Sequence, residues 1–193
     1  MRLTVQPLTR GRWDDLVELF SRPGGSIVRG CWCMYYRKSG CSGGLGRGKA
    51  NKRAMKALVD GGTVPGLIAY RDQRPVGWIS LGPREDYARL ERSRVMKRVD
   101  EKPVWSIVCF FVDSKERGQG ITRALLRGAI DYARSKGATL LEAYPIDKRA
   151  RSHPDFMWFG AKSLYDHAGF HEVARRKETR PVVRCELRPR RSH

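Results

Sequence analysis

Residues 104–112 read Val-Trp-Ser-Ile-Val-Cys-Phe-Phe-Val, apolar at both alternating sets of positions and rich in β-branched and aromatic side chains. Such a run suits a central strand buried on both faces, so the chain needs a sheet with other elements packed above and below it. The run gives way to polar Asp113-Ser114-Lys115-Glu116, then to Arg117-Gly118-Gln119-Gly120-Ile121-Thr122, and then to Ile121, Leu125, Ala129 and Ala133 along one helical stripe. A strand, a glycine turn and a helix in that order bring bare amides and the positive end of a helix dipole to one spot, which binds phosphate oxygens well. A tight turn also needs glycine for its own geometry, so the turn alone leaves phosphate binding and simple chain reversal both open. Two familiar phosphate loops are excluded, because no third glycine follows at the dinucleotide spacing and no Gly-Lys-Ser/Thr closes the turn.

The rest of the chain supplies partners for such a strand. Alternation at residues 3–7 predicts a first strand, and Trp13, Leu16, Leu19 and Phe20 predict a helix after Thr9. Residues 22–48 form a long glycine-rich, basic stretch, and Ala54, Ala57, Leu58 and Val59 predict a short helix ending at Gly61-Gly62. Residues 66–82 read as a hairpin turning near Asp72-Gln73-Arg74-Pro75, and residues 87–98 as a charged helical connection. Beyond the central strand and its helix, a strand is predicted at 139–144, a helix at 158–168, and strands near 171–177 and 181–187.

The turn, written Arg117-x-x-Gly120-x-Thr122, resembles the pyrophosphate loop of the GNAT superfamily of N-acetyltransferases, Arg/Gln-x-x-Gly-x-Gly/Ala after the fourth strand. Thr122 departs from that pattern with a β-branched side chain, although its hydroxyl is able to donate a hydrogen bond. Ala161-Lys162-Ser163-Leu164-Tyr165-Asp166-His167-Ala168-Gly169-Phe170 is similar to the family's fourth helix and the turn after it. The resemblance implies an α/β fold, a single domain over 1–193 with a central mixed, splayed β-sheet flanked by helices. Residues 1–100 would carry the acceptor-side loops and 101–193 the acetyl-coenzyme A half.

It further implies direct transfer of acetyl from acetyl-coenzyme A to an amine. Carried over, the coenzyme pairs with backbone groups of Phe110, Phe111 and Val112, and its pyrophosphate sits on Arg117, Gly118, Gln119, Gly120, Ile121 and Thr122. An amide on that strand would stabilise the oxyanion. Tyr165 falls where many members place the tyrosine that protonates the departing thiolate, and it also reads as a packing residue beside Leu164 and Phe170. The central strand offers no carboxylate as a base, so Glu142 on the next strand is the candidate, with partnership to an arginine as its alternative. A thiol nucleophile at Cys109 or Cys31 ranks lower, since nothing in the sequence pairs either with a histidine.

The acceptor is expected in the N-terminal half. Gly30 to Arg37 mixes aromatics, sulfurs and a cation, so Trp32 and Tyr35, with Tyr144 across the cleft, are candidate acceptor contacts; the same residues also suit a loop anchored on the core. Lys and Arg number 39 against 20 Asp and Glu, a formal charge of +19, which repels polycationic acceptors. The excess suits an acidic small molecule or a nucleic acid, and equally a solubility role. No zinc finger or RNA-recognition signature accompanies it, so a small-molecule amine is the expected partner and nucleic acid the less favoured one. Acetylation of a macromolecule, whether a protein lysine or aminoacyl-tRNA, and a binding module without turnover stay open as alternatives.

Five cysteines, at 31, 33, 41, 109 and 185, suit free thiols in a reducing compartment; Cys31-Trp32-Cys33 with Cys41 lacks a structural-zinc spacing, so no metal is expected. Nothing approaches a membrane span, and the start reads as a strand, which makes a cytoplasmic location the expectation. The sequence leaves open whether the chain acts alone or as a homodimer.

Overall fold

The computed structural model describes residues 2–38, 47–147 and 157–187. Seven strands form one sheet among these residues: β1 (Leu3–Pro7), β2 (Gly66–Arg71), β3 (Arg74–Pro83), β4 (Trp105–Val112), β5 (Leu140–Ala143), β6 (His171–Arg175) and β7 (Pro181–Glu186). Their order is β1-β2-β3-β4-β5-β7-β6. Every pairing is antiparallel except β4 with β5. The apolar run of β4 therefore lies in the middle of a mixed sheet, as its two-sided hydrophobicity requires.

Helices cover both faces. On one, α5 (Ile121–Ser135) lays Ile121, Leu125, Leu126, Ala129 and Ala133 against Leu67, Ile79, Ile107 and Phe110. Gly77 lets it come that close, since a Cβ there would stand 2.7 Å from Ile121 Cγ2. On the other face, α1 (Trp13–Ser21), α2 (Ser26–Cys31) and α3 (Gly48–Asp60) bury Leu16, Phe20, Val28 and Met55 against Ile68, Trp78 and Phe111. Two short helices, α4 (Ala88–Glu91) and α6 (Lys162–Asp166), complete the set among the described residues.

The order of elements follows the sequence reading, with three differences. The basic stretch after residue 22 contains α2, six residues long and ended by a left-handed Trp32, too short for helical periodicity to show. The expected helix over 87–98 contracts to four residues, because this segment is held by Arg84, just past β3, on the Met96 carbonyl and by Arg184 of β7 on Asp100 rather than by a long apolar stripe of its own. The helix expected at 158–168 begins only at Lys162; Met157 to Ala161 runs along the sheet edge, with Ile146 bridging Ala161 in parallel. Cys41, within residues 39–46, lies outside the described residues.

Candidate active site

β4 outruns its parallel neighbour. Only Trp105, Ser106 and Ile107 pair with β5, so the strand from Val108 to Val112 borders a gap in the sheet. The split coincides with a bulge: Ser80 pairs with Cys109 and Leu81 with Ile107, which leaves Val108 unmatched and bends the strand away. Across the gap the Phe110 amide donates to the Trp158 carbonyl at 2.6 Å. Peptide groups of successive strand residues point to opposite edges, so those of Phe110 and Val112 face the gap. Those of Phe111 face β3, where Phe111 pairs with Trp78. The expectation that three consecutive residues present free backbone groups is corrected at Phe111, whose ring instead packs edge-on against Phe20.

At the end of β4 the chain makes a 3-10 turn, Ser114–Glu116, capped by Asp113, whose side chain accepts from the Lys115 amide. Asp113 also accepts from Arg22 at 2.9 Å and Glu116 from Arg71 at 2.9 Å, with Arg74 reaching both. These three arginines offset the two carboxylates nearest the turn, so an anion there meets little repulsion from them. Gln119 Nε2 closes the turn on the Lys115 carbonyl. Gly118 and Gly120 have φ of 75° and 77°, and a Cβ on either would meet nothing within 4 Å. Gly120 caps α5 without a side-chain hydrogen bond, and the first helical bond runs from Ala124 back to Gly120. The amides of Ile121 and Thr122 thus have no acceptor within the helix, beside exposed Arg117 and Arg123. A groove of about 810 Å³ between α5 and β1 shares Gly120 and Arg123 with the turn but leads away from Phe110.

Tyr165, on α6, lies under the gap. Its ring is fully buried beside Phe110 and Phe170, and its hydroxyl donates to the Phe159 carbonyl at 2.8 Å. Burial holds its phenol above the ordinary range, so it keeps its proton. The side chain is thus both packed among these rings and protonated.

Glu142 is enclosed differently. Arg84 Nη1 donates to its Oε1 at 2.9 Å, the Tyr144 hydroxyl to the same oxygen at 2.7 Å, and Arg184 Nε to Oε2 at 2.8 Å. Arg84 continues to Glu91 and the Met96 carbonyl, Arg184 to Asp100, and Ser106 bonds the Tyr144 hydroxyl. A carboxylate with no exposed surface, held by two guanidinium partners, is closed off from an incoming amine, and of its two sequence readings the geometry favours the arginine partner. Tyr144 is equally enclosed; its phenol is pushed well up by burial and by Glu142, and only its ring reaches toward the gap, edge-on to Phe159.

On the acceptor side Trp32 is 5% exposed and stacks on Trp13 at 5.7 Å, next to Phe20. That is the anchoring role. Tyr35 is exposed, with the Arg89 guanidinium 4.1 Å from its ring centre. Its neighbour Tyr36 turns inward: its ring stands 5.5 Å from that of Phe159, and its hydroxyl meets the Trp158 side chain. Arg180, in the turn between β6 and β7, lies 4.5 Å over Phe159.

A sequence model of the acetyltransferase (GNAT) family matches residues 35–160, about two thirds of the chain. The chain belongs to the GNAT family of acetyltransferases. An uncharacterized N-acetyltransferase of Methanocaldococcus jannaschii is 24% identical over 170 residues, 88% of this chain and 61% of the relative, so the chain spans about three fifths of that protein's length. Among solved structures, a mosquito arylalkylamine N-acetyltransferase like 5b superposes with a TM-score of 0.59 at 12% identity, covering 96% of this chain and all of the other. The PaiA N-acetyltransferase of Thermoplasma acidophilum, solved with coenzyme A, superposes with a TM-score of 0.54 at 16% identity, covering 96% and 99%. At these identities the likeness is one of fold.

Within this GNAT chain the two thiols weighed as nucleophiles, Cys31 and Cys109, are poorly suited to that work. Burial and the neighbouring Cys33 push Cys31 up to about 12, and a hydrogen bond with Cys33, together with burial, holds Cys109 well above its usual value. Among the described residues no three His, Cys, Asp or Glu side chains are arranged to hold a metal, and no helix is long and apolar enough to cross a membrane. Sequence reasoning passed over Tyr36, Phe159 and Arg180. The doublet Tyr35-Tyr36 hinted at the first; nothing local marks the others, which are brought in by β5 and the β6–β7 turn.

Proposed function

We propose that this chain transfers an acetyl group from acetyl-coenzyme A directly to the amine of a small molecule. The observation that carries this reading is the Phe110 amide on the open edge of β4, between the glycine turn and the Tyr165 hydroxyl. The amides of Ile121 and Thr122, with Arg117, hold the pyrophosphate at the end of the helix. Phe110 then donates to the thioester carbonyl oxygen in place of Trp158, and that bond strengthens as the oxygen becomes an oxyanion. The amine nitrogen forms its bond to the carbonyl carbon, the carbon–sulfur bond breaks, Tyr165 gives its proton to the departing sulfur, and the proton lost by the amine nitrogen passes through solvent to restore the Tyr165 hydroxyl. Glu142 enters as a positioning residue, fixing β5 and its neighbours around the gap.

A small acceptor is favoured because Tyr36, Trp158 and Phe159 crowd the acceptor side of the gap with aromatic rings. Release of coenzyme A thiol, measured with acetyl-coenzyme A over a panel of small amines, a lysine peptide and aminoacyl-tRNA, tests the reading. Turnover with small amines supports it. Turnover confined to the peptide or the tRNA transfers the function to a macromolecule, and coenzyme binding without turnover on any acceptor leaves a binding module.

A further inference from the structure

Arg180 is a cation placed where a carboxylate partner is expected and none is found among the described residues. Its one hydrogen bond there is long, 3.5 Å from Nη1 to the Tyr144 carbonyl. By contrast Arg22, Arg37, Arg71, Arg84, Arg175 and Arg184 all have carboxylates within 3.0 Å. Arg180 is only half-exposed; its guanidinium is stacked on the Phe159 ring at 4.5 Å. Burial draws its proton affinity below the ordinary range, with the Tyr36 phenol as the opposing influence. A partly desolvated guanidinium with no counter-ion is costly unless something anionic completes it.

Its location says what that is. Phe159 under the guanidinium follows Trp158, whose carbonyl holds the Phe110 amide, and Tyr36 meets both the Phe159 ring and the Trp158 side chain. The cation therefore sits one side chain away from the proposed reaction centre, on the acceptor's side of the gap. A guanidinium resting over a ring, with a single long hydrogen bond, has N–H groups to spare for a carboxylate or phosphate. We propose, resting on the acetyl-transfer reading above, that the acceptor is an amine that also carries a carboxylate or phosphate, and that Arg180 binds this anionic group. The surplus of basic residues over the whole chain would draw such an acceptor in.

The test uses matched amines that differ in the anionic group: phenylalanine against phenethylamine, β-alanine against propylamine, and O-phosphoethanolamine against ethanolamine. Each is followed by thiol release and, independently of turnover, by calorimetric binding to the protein with coenzyme A present. The wild type should favour the anionic member of at least one pair by tenfold or more, through KM and Kd, and the pair that responds tells carboxylate from phosphate. Arg180→Met, which keeps the stem over Phe159, should erase the preference with little change for the neutral amines. Arg180→Lys should retain part of it. Should Arg180→Met fail to fold, the wild-type discrimination and the Lys variant decide the question. Equal handling of both members, or no binding of any, overturns the inference, as does a loss of coenzyme A affinity in Arg180→Met, which would assign the cation to the cofactor. If the neutral amines turn over as well as the anionic ones, acetyl transfer stands and the anion subsite falls. If anionic amines bind through Arg180 but never react, the subsite stands and the transfer reading falls.

Discussion

Gly120 and Tyr165 are single positions on which the proposed chemistry turns, and each has a substitution that isolates its part. At Gly120 a valine Cβ would meet no neighbour, yet the residue would carry a β-branched side chain at φ of 77° and project it from the turn. Gly137, at the other end of α5, has φ of 79° and equally open surroundings, so Gly137→Val imposes similar backbone strain far from the turn. Coenzyme A affinity by calorimetry should fall at least tenfold in Gly120→Val and stay unchanged in Gly137→Val, while both variants lose about 1–3 kcal/mol of stability. Tyr165→Phe keeps the ring among Phe110 and Phe170 and removes the hydroxyl. Turnover should drop by about 10²-fold with coenzyme affinity nearly constant. Near-normal turnover would reduce Tyr165 to packing.

Strand β4 and the charged connection after β3 stand at opposite ends of what the sequence discloses about elements. β4 is legible because burial on both faces writes itself as an unbroken apolar run, and α5 because its apolar stripe is long. The connection from Arg84 to Asp100 carries no such stripe. It is held by Arg84 and Arg184, which meet on Glu142 from three separate parts of the chain, a convergence that only the folded sheet creates. For the same reason the sequence pointed to Tyr165 and the glycine turn, which share motifs, but missed Tyr36 and Arg180, which meet only across the gap. Glu142→Gln should destabilise the protein by about 3 kcal/mol, since it removes the buried carboxylate two guanidinium groups share and leaves each with only an exposed one, Glu91 for Arg84 and Asp100 for Arg184; urea unfolding measures this. Acid should loosen the same region. Arg184 holds the Asp100 carboxyl below its usual range, so its contribution is complete above the unfolded value near 4 and disappears as pH falls through the lower folded one.

At the scale of the molecule the excess of 39 basic over 20 acidic residues raises the question of a polyanionic partner. Many of the arginines are already engaged, around the turn on Asp113 and Glu116 and beneath the sheet on Glu142. A small-molecule enzyme should bind RNA no tighter than micromolar at physiological salt and leave aminoacyl-tRNA unacetylated. Filter binding over a salt series reads this, because each phosphate neutralised adds about 0.7–0.9 to the log-log slope. Saturable, tight binding to transfer RNA with acetylation of its amino acid would move the function to the macromolecular class.

The bond from Phe110 to the Trp158 carbonyl has a kinetic side. In the proposed chemistry the Phe110 amide meets an oxyanion; a backbone amide left bare in the apolar middle of a protein is costly, and this one is satisfied by a backbone carbonyl. Loading the coenzyme then becomes an exchange of one acceptor for another, and its speed is set by how readily Met157 to Gly160 lets go. Hydrogen–deuterium exchange at Phe110 should thus be slow both before and after acetyl-coenzyme A binds. The neighbouring Trp158 to Gly160 amides, released from their place, should exchange faster in the loaded protein than in the empty one.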